Sequence, residues 1–170
     1  MAELKGQVCP ICNKKSLTLR EEEMDIPHFG EIFIFSMTCD ECHYKKADVE
    51  PAKEGEPAKY TLDVDSDKDM NIKIVKAGDA TVKIPYIITI EPGPAGEGYI
   101  TNVEGLLNKV KAAIESAGEA EEDAADKKKA RKLIKKINKI ILGREKTKII
   151  IEDPSGHSAI LSDKVKKGKL

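Results

Sequence analysis

The alternation of hydrophobic and polar side chains predicts a small antiparallel sheet near the start of the chain. Leu17 and Leu19 alternate with polar residues, and after a break a run of β-branched and aromatic side chains extends from Ile32 to Phe35. Alternation with a period of two is typical of half-buried strands. We therefore expect strands at residues 16–24, 31–38 and 45–50, with the break at Ile26-Pro27-His28-Phe29-Gly30.

A second set of strand patterns follows a polar, proline-containing linker at residues 51–57. One pattern contains Pro85, and because proline has no backbone N–H, we expect an edge strand or a bulge there. Another pattern ends at Asp153-Pro154-Ser155-Gly156, which has the proline and glycine positions of a type I β-turn and predicts a hairpin between its flanking strands. The expected strands cover residues 59–64, 72–76, 80–91, 146–152 and 158–161.

Between these strands the hydrophobic period changes to that of two helices. Apolar residues recur three and four positions apart after Thr101, which forms a capping-box pattern with Glu104. Gly118 predicts the end of the first helix. The second pattern covers residues 119–142, so the sequence predicts a helical hairpin over about residues 101–143.

Together the patterns predict an α+β protein with two parts. A β module at residues 1–50 precedes an antiparallel β-rich domain at residues 51–162, which carries the helical hairpin. Residues 163–170 are lysine-rich, and we expect them to form a frayed basic tail.

The four cysteines of the chain give the first part its chemistry. Cys9 and Cys12 enclose two residues, Cys39 and Cys42 enclose two more, and 26 residues separate the pairs. Two Cys-x-x-Cys turns supply the four thiolates that a tetrahedral structural Zn²⁺ requires. A module this small has too little core to fold without its metal, so the spacing predicts a zinc ribbon.

Other interpretations of the cysteines are weaker. Two disulfides suit a secreted protein, but residues 1–5 do not open a signal peptide, so we expect reduced thiols and a cytoplasmic location. An iron–sulfur cluster uses the same ligand set. A catalytic zinc needs an open position, and four cysteines leave none. His28 or His43 could replace a cysteine, but neither is needed.

The overall charge excludes some partners. The formal net charge is −1, which removes any global electrostatic case for nucleic acid or a membrane surface. No apolar stretch approaches the roughly 20 residues that span a bilayer, so we expect no membrane association. The basic run at residues 127–139 keeps nucleic-acid or ribosome binding as an alternative. Its interleaved apolar stripe favours a solvated helix face, and no aromatic residue accompanies it for base stacking.

Three further motifs fail on their decisive positions. The acidic stretch that begins at Asp63 lacks the glycine and glutamate of a calcium loop. The glycines from Gly93 to Gly98 lack the lysine of a phosphate loop. Asp153, His157 and Ser158 are adjacent in sequence, but a tight turn explains them better than a catalytic triad. A small-molecule site in the β-rich domain is a third option, with no residue that nominates it.

The assembled order of motifs resembles the ZPR-type zinc-finger family. The resemblance extends from Cys9 to about Leu161. It rests on the two cysteine pairs, on Ile26-Pro27-His28-Phe29 between them, on Ile100-Thr101-Asn102-Val103-Glu104-Gly105, and on Asp153-Pro154-Ser155-Gly156-His157-Ser158. The Ile-Pro-His-Phe element between the cysteine pairs, together with the later Thr-x-Val-Glu-Gly and Asp-Pro-Ser-Gly motifs, distinguishes this family from other zinc ribbons.

The resemblance implies a fold and a function. It implies a four-cysteine zinc finger followed by a double-stranded β-helix or sandwich with a helical hairpin. Eukaryotic members carry two such modules, bind the translation elongation GTPase elongation factor 1-alpha and act as its folding chaperone. This chain has one module, as expected for an archaeal relative. It also has Ile72, after Asp69-Met70-Asn71, where the family tends to have an arginine; if that arginine touches the partner, the contact is missing here.

We therefore expect a non-enzymatic zinc protein that binds a protein partner. The resemblance to a chaperone of a GTPase and the lack of a catalytic constellation both favour this function. The residues expected to contact the partner are Pro27, His28, Phe29, Asp153, Pro154 and Gly156.

Overall fold

The computed structural model describes residues 2–26, 30–52, 55–93, 96–121 and 123–170. In the first fifty-one residues the strands are β1 (Ala2–Gln7), β2 (Leu17–Ile26), β3 (Gly30–Cys39) and β4 (Lys45–Pro51). The later strands are β5 (Ala58–Val64), β6 (Lys73–Lys76), β7 (Thr81–Ile84), β8 (Ile88–Ile90), β9 (Tyr99–Asn102), β10 (Thr147–Asp153), β11 (Ala159–Leu161) and β12 (Lys166–Lys169). The helices are α1 (Val103–Ala120) and α2 (Ala124–Ile141), and a 3-10 turn covers Asp67–Asn71.

The four N-terminal strands form an antiparallel sheet in the order β1-β2-β3-β4, which we call the ribbon. Its register places Leu17 opposite Cys39 and Leu19 opposite Met37, as the alternating pattern requires. Strand β1 carries no sequence signal, because all of its side chains are exposed. It is held by its pairing with β2 and was not predicted.

The remaining strands form two sheets that enclose the main core. One sheet has the order β12-β5-β10-β7-β8 and the other the order β11-β6-β9. Strand β5 alternates buried and partly buried side chains along its whole length, which is the pattern of a strand with one face on the core. Both helices cover this core through their apolar stripes, so the predicted α+β class with an antiparallel β-rich domain and a helical hairpin is confirmed.

The hairpin predicted around Asp153-Pro154-Ser155-Gly156 is wrong. Strand β10 pairs with β5 and β7, whereas β11 pairs with β6 in the other sheet. The chain bends here and crosses between sheets because the buried Asp153 carboxylate accepts hydrogen bonds from the Ser155 and Ser158 N–H groups. A local turn pattern does not reveal which strands it joins.

The segment predicted as one strand at residues 80–91 is a hairpin. Pro85 opens a turn between β7 and β8, in which the Ile87 N–H donates to the Ile84 carbonyl at 3.0 Å. Tyr86 takes a left-handed φ of 62° in this turn. The proline therefore ends a strand instead of marking a bulge within it, and β8 is the edge of its sheet.

The helix boundaries differ from the predicted ones. Thr101 belongs to β9, and Asn102 is the N-cap of α1, with its side-chain oxygen accepting the Gly105 N–H at 2.7 Å. Gly118 lies inside α1 and does not end it. A Cβ at Gly118 would lie 2.8 Å from the Cβ of Ala130, so this glycine permits close packing of the two helices.

The C-terminal residues are not frayed. Strand β12 pairs with β5 in an antiparallel register that places Lys167 opposite Tyr60. The Lys167 Nζ lies 5.5 Å from the centre of the Tyr60 ring. The lysine-rich composition suggested a tail, but these side chains point outward from an edge strand, where lysines discourage further pairing.

Candidate metal centre and partner surface

Two knuckles of matching backbone geometry bring the four cysteines together. The Cys9 N–H donates to the Lys14 carbonyl at 2.9 Å, and the Cys39 N–H donates to the Tyr44 carbonyl at 2.8 Å. In each knuckle the residue after the second cysteine has a left-handed φ of 57°, namely Asn13 and His43. Asn and His tolerate this conformation better than most residues, so His43 has a role in the turn.

The sulfur geometry fits a tetrahedral zinc ion. The four Sγ atoms all lie within 4.8 Å of one another. Cys9 Sγ lies 3.6 Å from Cys42 Sγ, and Cys12 Sγ lies 3.7 Å from Cys39 Sγ. Tetrahedral bonds of about 2.3 Å place two sulfurs about 3.8 Å apart, so the spacing is that of one Zn²⁺ with four thiolate ligands. The predicted single structural Zn²⁺ is thereby supported, and the cluster contains no histidine within the described residues.

Hydrogen bonds inside each knuckle orient the thiols and tune them. The Cys42 N–H lies 3.5 Å from Cys39 Sγ and the Ser16 hydroxyl 3.2 Å, and these contacts lower the pKa of the Cys39 thiol to about 6. The Tyr44 N–H lowers the pKa of Cys42, but desolvation and the other sulfurs outweigh it and raise that pKa to about 12. Zinc binds cysteine as thiolate, so metal binding at this site is accompanied by the release of protons.

The other end of the ribbon packs against the sheet formed by β11, β6 and β9. Ile32 and Val49 of the ribbon form a buried cluster with Val75 of β6 and Ala159 of β11. A polar contact accompanies it, because Asp48 Oδ1 accepts the Gly98 N–H at 2.9 Å. The ribbon is therefore held by metal at one end and by apolar contacts at the other.

A cavity of about 810 Å³ opens beside this junction. Met24 and Asp25 line it from the ribbon, and Gly156 lines it from the loop that follows β10. Its apolar wall is formed by side chains of the two sheets that enclose the main core and of the segment between β11 and β12, namely Tyr60, Val75, Ile100, Ile160, Leu161 and Val165. We call this cavity the junction groove.

The loop after β10 has a defined shape. Asp153 is completely buried, and besides the backbone groups its carboxylate accepts the Ser155 hydroxyl at 2.7 Å. Desolvation opposes ionisation of Asp153, but the hydrogen bonds from Ser155 and Ser158 outweigh it and lower its pKa. Gly156 has a φ of 73°, and a Cβ there would come within 2.5 Å of the Glu56 nitrogen. Asp153 and Gly156 thus shape the loop, while Pro154 is exposed.

The structure places some of the remaining candidate residues in other environments than the sequence motifs suggested. Pro27, His28 and Phe29 lie outside the described residues. The Ser158 hydroxyl accepts the Ala77 N–H at 2.9 Å, so it belongs to the loop architecture. In the acidic stretch, Lys164 contacts both oxygens of Asp69 at 2.9 Å, which places a lysine where a calcium loop would hold its ion.

Comparison with known proteins accounts for both halves of the chain. The family model of the ZPR1 zinc-finger domain matches residues 3–57, and that of the ZPR1 jelly-roll domain matches residues 68–169. The chain belongs to the ZPR1 family. Within the described residues, neither helix is long and apolar enough to cross a membrane.

Relatives of the ZPR1 family occur in archaea and eukaryotes. A ZPR1-like protein of Methanocaldococcus jannaschii is 37% identical over 94% of this chain and 81% of its own length. One from Pyrococcus horikoshii is 36% identical over 99% of this chain and 78% of its own length. The zinc finger chaperone zpr1 of Schizosaccharomyces pombe is 30% identical over 90% of this chain, which covers 34% of that protein.

Proposed function

We propose that this chain is a non-enzymatic zinc protein that binds a translation elongation GTPase, elongation factor 1-alpha or its archaeal counterpart, and assists its folding. A relative that shares 30% of its residues over most of this chain is named a zinc finger chaperone, which supports a protein client. A client of this class works in the cytoplasm. Because the chain covers 34% of that relative, chaperone activity by one module is itself part of the proposal.

The junction groove is the observation that carries the proposal. The two groups of residues expected to contact a partner are far apart in sequence, yet a described residue close to each group lines this groove. Met24 and Asp25 come before the Ile26-Pro27-His28-Phe29 element in the sequence, and Gly156 belongs to the loop of Asp153 and Pro154. A cavity of about 810 Å³ with an apolar wall is large enough to receive side chains of a polypeptide segment.

Burial separates the roles of the residues in the loop after β10. We propose that Pro27, His28, Phe29 and Pro154 contact the client. Asp153 is buried and Gly156 contacts backbone, so both act by shaping the loop. Exposed apolar side chains at the groove, Met24 and Ile100, add contact area, since exposed apolar groups that adjoin a cavity favour a polypeptide partner.

The same structure favours binding over catalysis. Four cysteines complete the coordination of zinc, so the metal has no position for a substrate. The Asp153 carboxylate and the Ser158 hydroxyl are both engaged by backbone N–H groups. These groups are used to build the loop, and we propose that zinc acts as a clamp for the ribbon.

The proposal is tested by capture of the cognate elongation factor. Immobilised protein is incubated with the folded factor, in its GDP and GTP states, and with the factor during refolding from denaturant. We expect capture of the refolding form and a higher yield of active factor. Absence of a complex in every state would overturn the proposal.

Groove variants locate the contact. Met24→Glu and Ile100→Glu place a charge on the apolar wall, and we expect each to reduce capture at least tenfold. Leu142→Glu is the matched control, because Leu142 is 59% exposed at the end of α2 and does not line the groove. Equal losses in all three variants would show that the groove is not the binding site.

A further inference from the structure

Helix α2 presents an unusual charge distribution. Its eighteen residues contain eight basic side chains and one acidic side chain. The exposed cations that recur at helical spacing along α2 are Lys128, Arg131, Lys132, Lys135 and Lys139, of which Arg131 also lines a cavity between the two helices with Glu115 and Glu119. Eleven residues at a rise of about 1.5 Å each extend this row over about 17 Å. We call this row the basic stripe.

Among the described residues, the basic stripe lacks the carboxylate partners that several lysines have elsewhere in the chain. On the jelly-roll sheet, Lys59 and Lys83 both pair with Glu152, at 3.1 and 2.5 Å. Lys146 and Lys148 pair with Asp65 and Asp63. Within the described residues, no side chain of the basic stripe forms an ion pair. The stripe is therefore a local excess of positive charge on a chain whose net charge is −1.

An aromatic ring lies beside the basic stripe in three dimensions. Tyr86, in the turn between β7 and β8, has 92% of its surface exposed. The Lys136 Nζ lies 5.9 Å from the centre of its ring, and Lys136 is adjacent to the stripe on α2. The turn holds Tyr86 in a left-handed conformation with a φ of 62°. A ring of this kind can stack with a base.

We propose that the basic stripe and Tyr86 form a binding surface for single-stranded nucleic acid. The stripe follows the phosphates, and the ring stacks on one base without reading its identity. An unpaired base is required, because the bases of a duplex are already stacked. An acidic protein surface would match the charge, whereas a nucleotide matches the charge through its phosphate and also offers a flat base that stacks on the exposed ring. This surface combines α2 with the turn between β7 and β8, and it does not include residues of the junction groove.

Fluorescence anisotropy with a labelled twelve-nucleotide oligouridine tests the proposal. We expect binding at 50 mM salt, with a slope of log affinity against log salt of about −3.5 if all five cations contact phosphates. The triple variant Lys128→Glu, Lys132→Glu, Lys135→Glu should lose at least a hundredfold in affinity. Absence of binding by the unmodified protein, or a salt-independent affinity, would overturn the proposal.

A matched control variant distinguishes binding at this surface from a general effect of positive charge on affinity. The control triple variant changes Lys15, Lys68 and Lys169 to Glu, which are exposed and form no ion pair within the described residues, and it should bind within about threefold of the unmodified protein. Equal losses in both triple variants would show a non-specific charge effect and contradict the proposal.

Variants at position 86 test the stacking role. Tyr86→Ala should weaken binding roughly tenfold, whereas Tyr86→Phe keeps the ring and should preserve it. Competitors identify the ligand class: a duplex of the same length and a polyglutamate peptide should displace the oligonucleotide poorly. If polyglutamate competes as well as the unlabelled oligonucleotide, the surface binds acidic polypeptides and the proposal is wrong.

Discussion

The ribbon and the jelly roll are stabilised by different means. The jelly roll encloses a continuous cluster of buried side chains from both sheets and both helices, with Leu62, Ile149 and Leu107 completely buried. At the zinc end of the ribbon the buried cluster consists of Leu17 and two of the cysteines, Cys9 and Cys39. One part is thus held by hydrophobic burial and the other by coordination bonds.

The difference shows what each part contributes to the other. At the metal end of the ribbon, apolar side chains remain exposed to solvent, and Ile11 has 64% of its surface exposed. Little apolar surface is buried at this end. The far end gains burial from the jelly roll through Ile32 and Val49. We therefore propose that residues 1–50 and 51–162 are separate units in their source of stability, joined by a small apolar contact.

Removal of zinc should have the largest effect. With a chelator at neutral pH, or with Cys39→Ser, we expect the knuckles, β1 and the adjacent half of β2 to unfold, because a structural zinc contributes on the order of 10 kcal/mol to small zinc modules. The jelly roll should remain folded. Hydrogen exchange measures this directly: amides of β2 should lose protection while those of β5 and β10 keep it. A uniform loss of protection would show instead that both parts fold as one unit.

Truncation of a buried side chain in the jelly roll should destabilise the jelly roll and leave the zinc site unchanged. Leu107→Ala on α1 removes a completely buried side chain and should lower the free energy of unfolding by about 3–4 kcal/mol. Zinc affinity, measured by competition with a chromophoric chelator, should not change. Leu142→Ala is the control, because Leu142 is exposed and its loss should cost less than about 0.5 kcal/mol. A fall in zinc affinity with Leu107→Ala would contradict the separation of the two parts.

Substitution of Gly156, which lines the junction groove between the two parts, should lower the stability of the protein by an intermediate amount. Gly156→Ala forces a Cβ against the backbone of Gly55 and Glu56 and leaves a non-glycine residue at a positive φ, so we expect a loss of about 2 kcal/mol in thermal or urea unfolding. Gly168→Ala is the matched control, because a Cβ there meets no atom within 4 Å. Equal stability of the two variants would show that this loop adapts freely.

Acidification should have the smallest of these effects, and it should act on the stability of the jelly roll through Asp69. Desolvation raises the pKa of Asp69, but the Lys164 ammonium and the N–H groups of Asp65 and Ser66 outweigh it, so the folded pKa is lowered. A lowered carboxyl pKa adds stability above the unfolded pKa of about 3.9, and this stability is lost as the pH falls through the folded pKa.

Urea unfolding of Asp69→Asn between pH 7 and pH 2 measures this contribution. The variant should be less stable than the unmodified protein at pH 7, and the gap should close as the pH falls below about 4. Asp67→Asn, at an exposed position of the same turn, controls for the change of charge. Zinc loss in acid affects all three proteins alike, so the difference in their free energy of unfolding reflects the stability of the jelly roll. A gap that is constant with pH would exclude the carboxylate as its cause.

Local patterns were reliable where they involve neighbours in sequence and unreliable where they do not. The cysteine pairs predict their own knuckle geometry, and the alternation at Leu17 and Leu19 predicts β2, because both signals are complete within a few residues. Pairing across the Asp153 turn was predicted wrongly, since β11 joins a different sheet. The exposed strand β1 has no hydrophobic pattern to detect.

By itself the sequence determined the zinc ligands, most strands, the helical hairpin and the family. These follow from spacing and periodicity, which residues close in the chain impose on each other. Only the tertiary structure decided that Met24 and Gly156 line one groove and that Tyr86 stands beside Lys136. Such surfaces join residues separated by fifty positions or more, and burial of the shared core, which no local pattern encodes, brings them together.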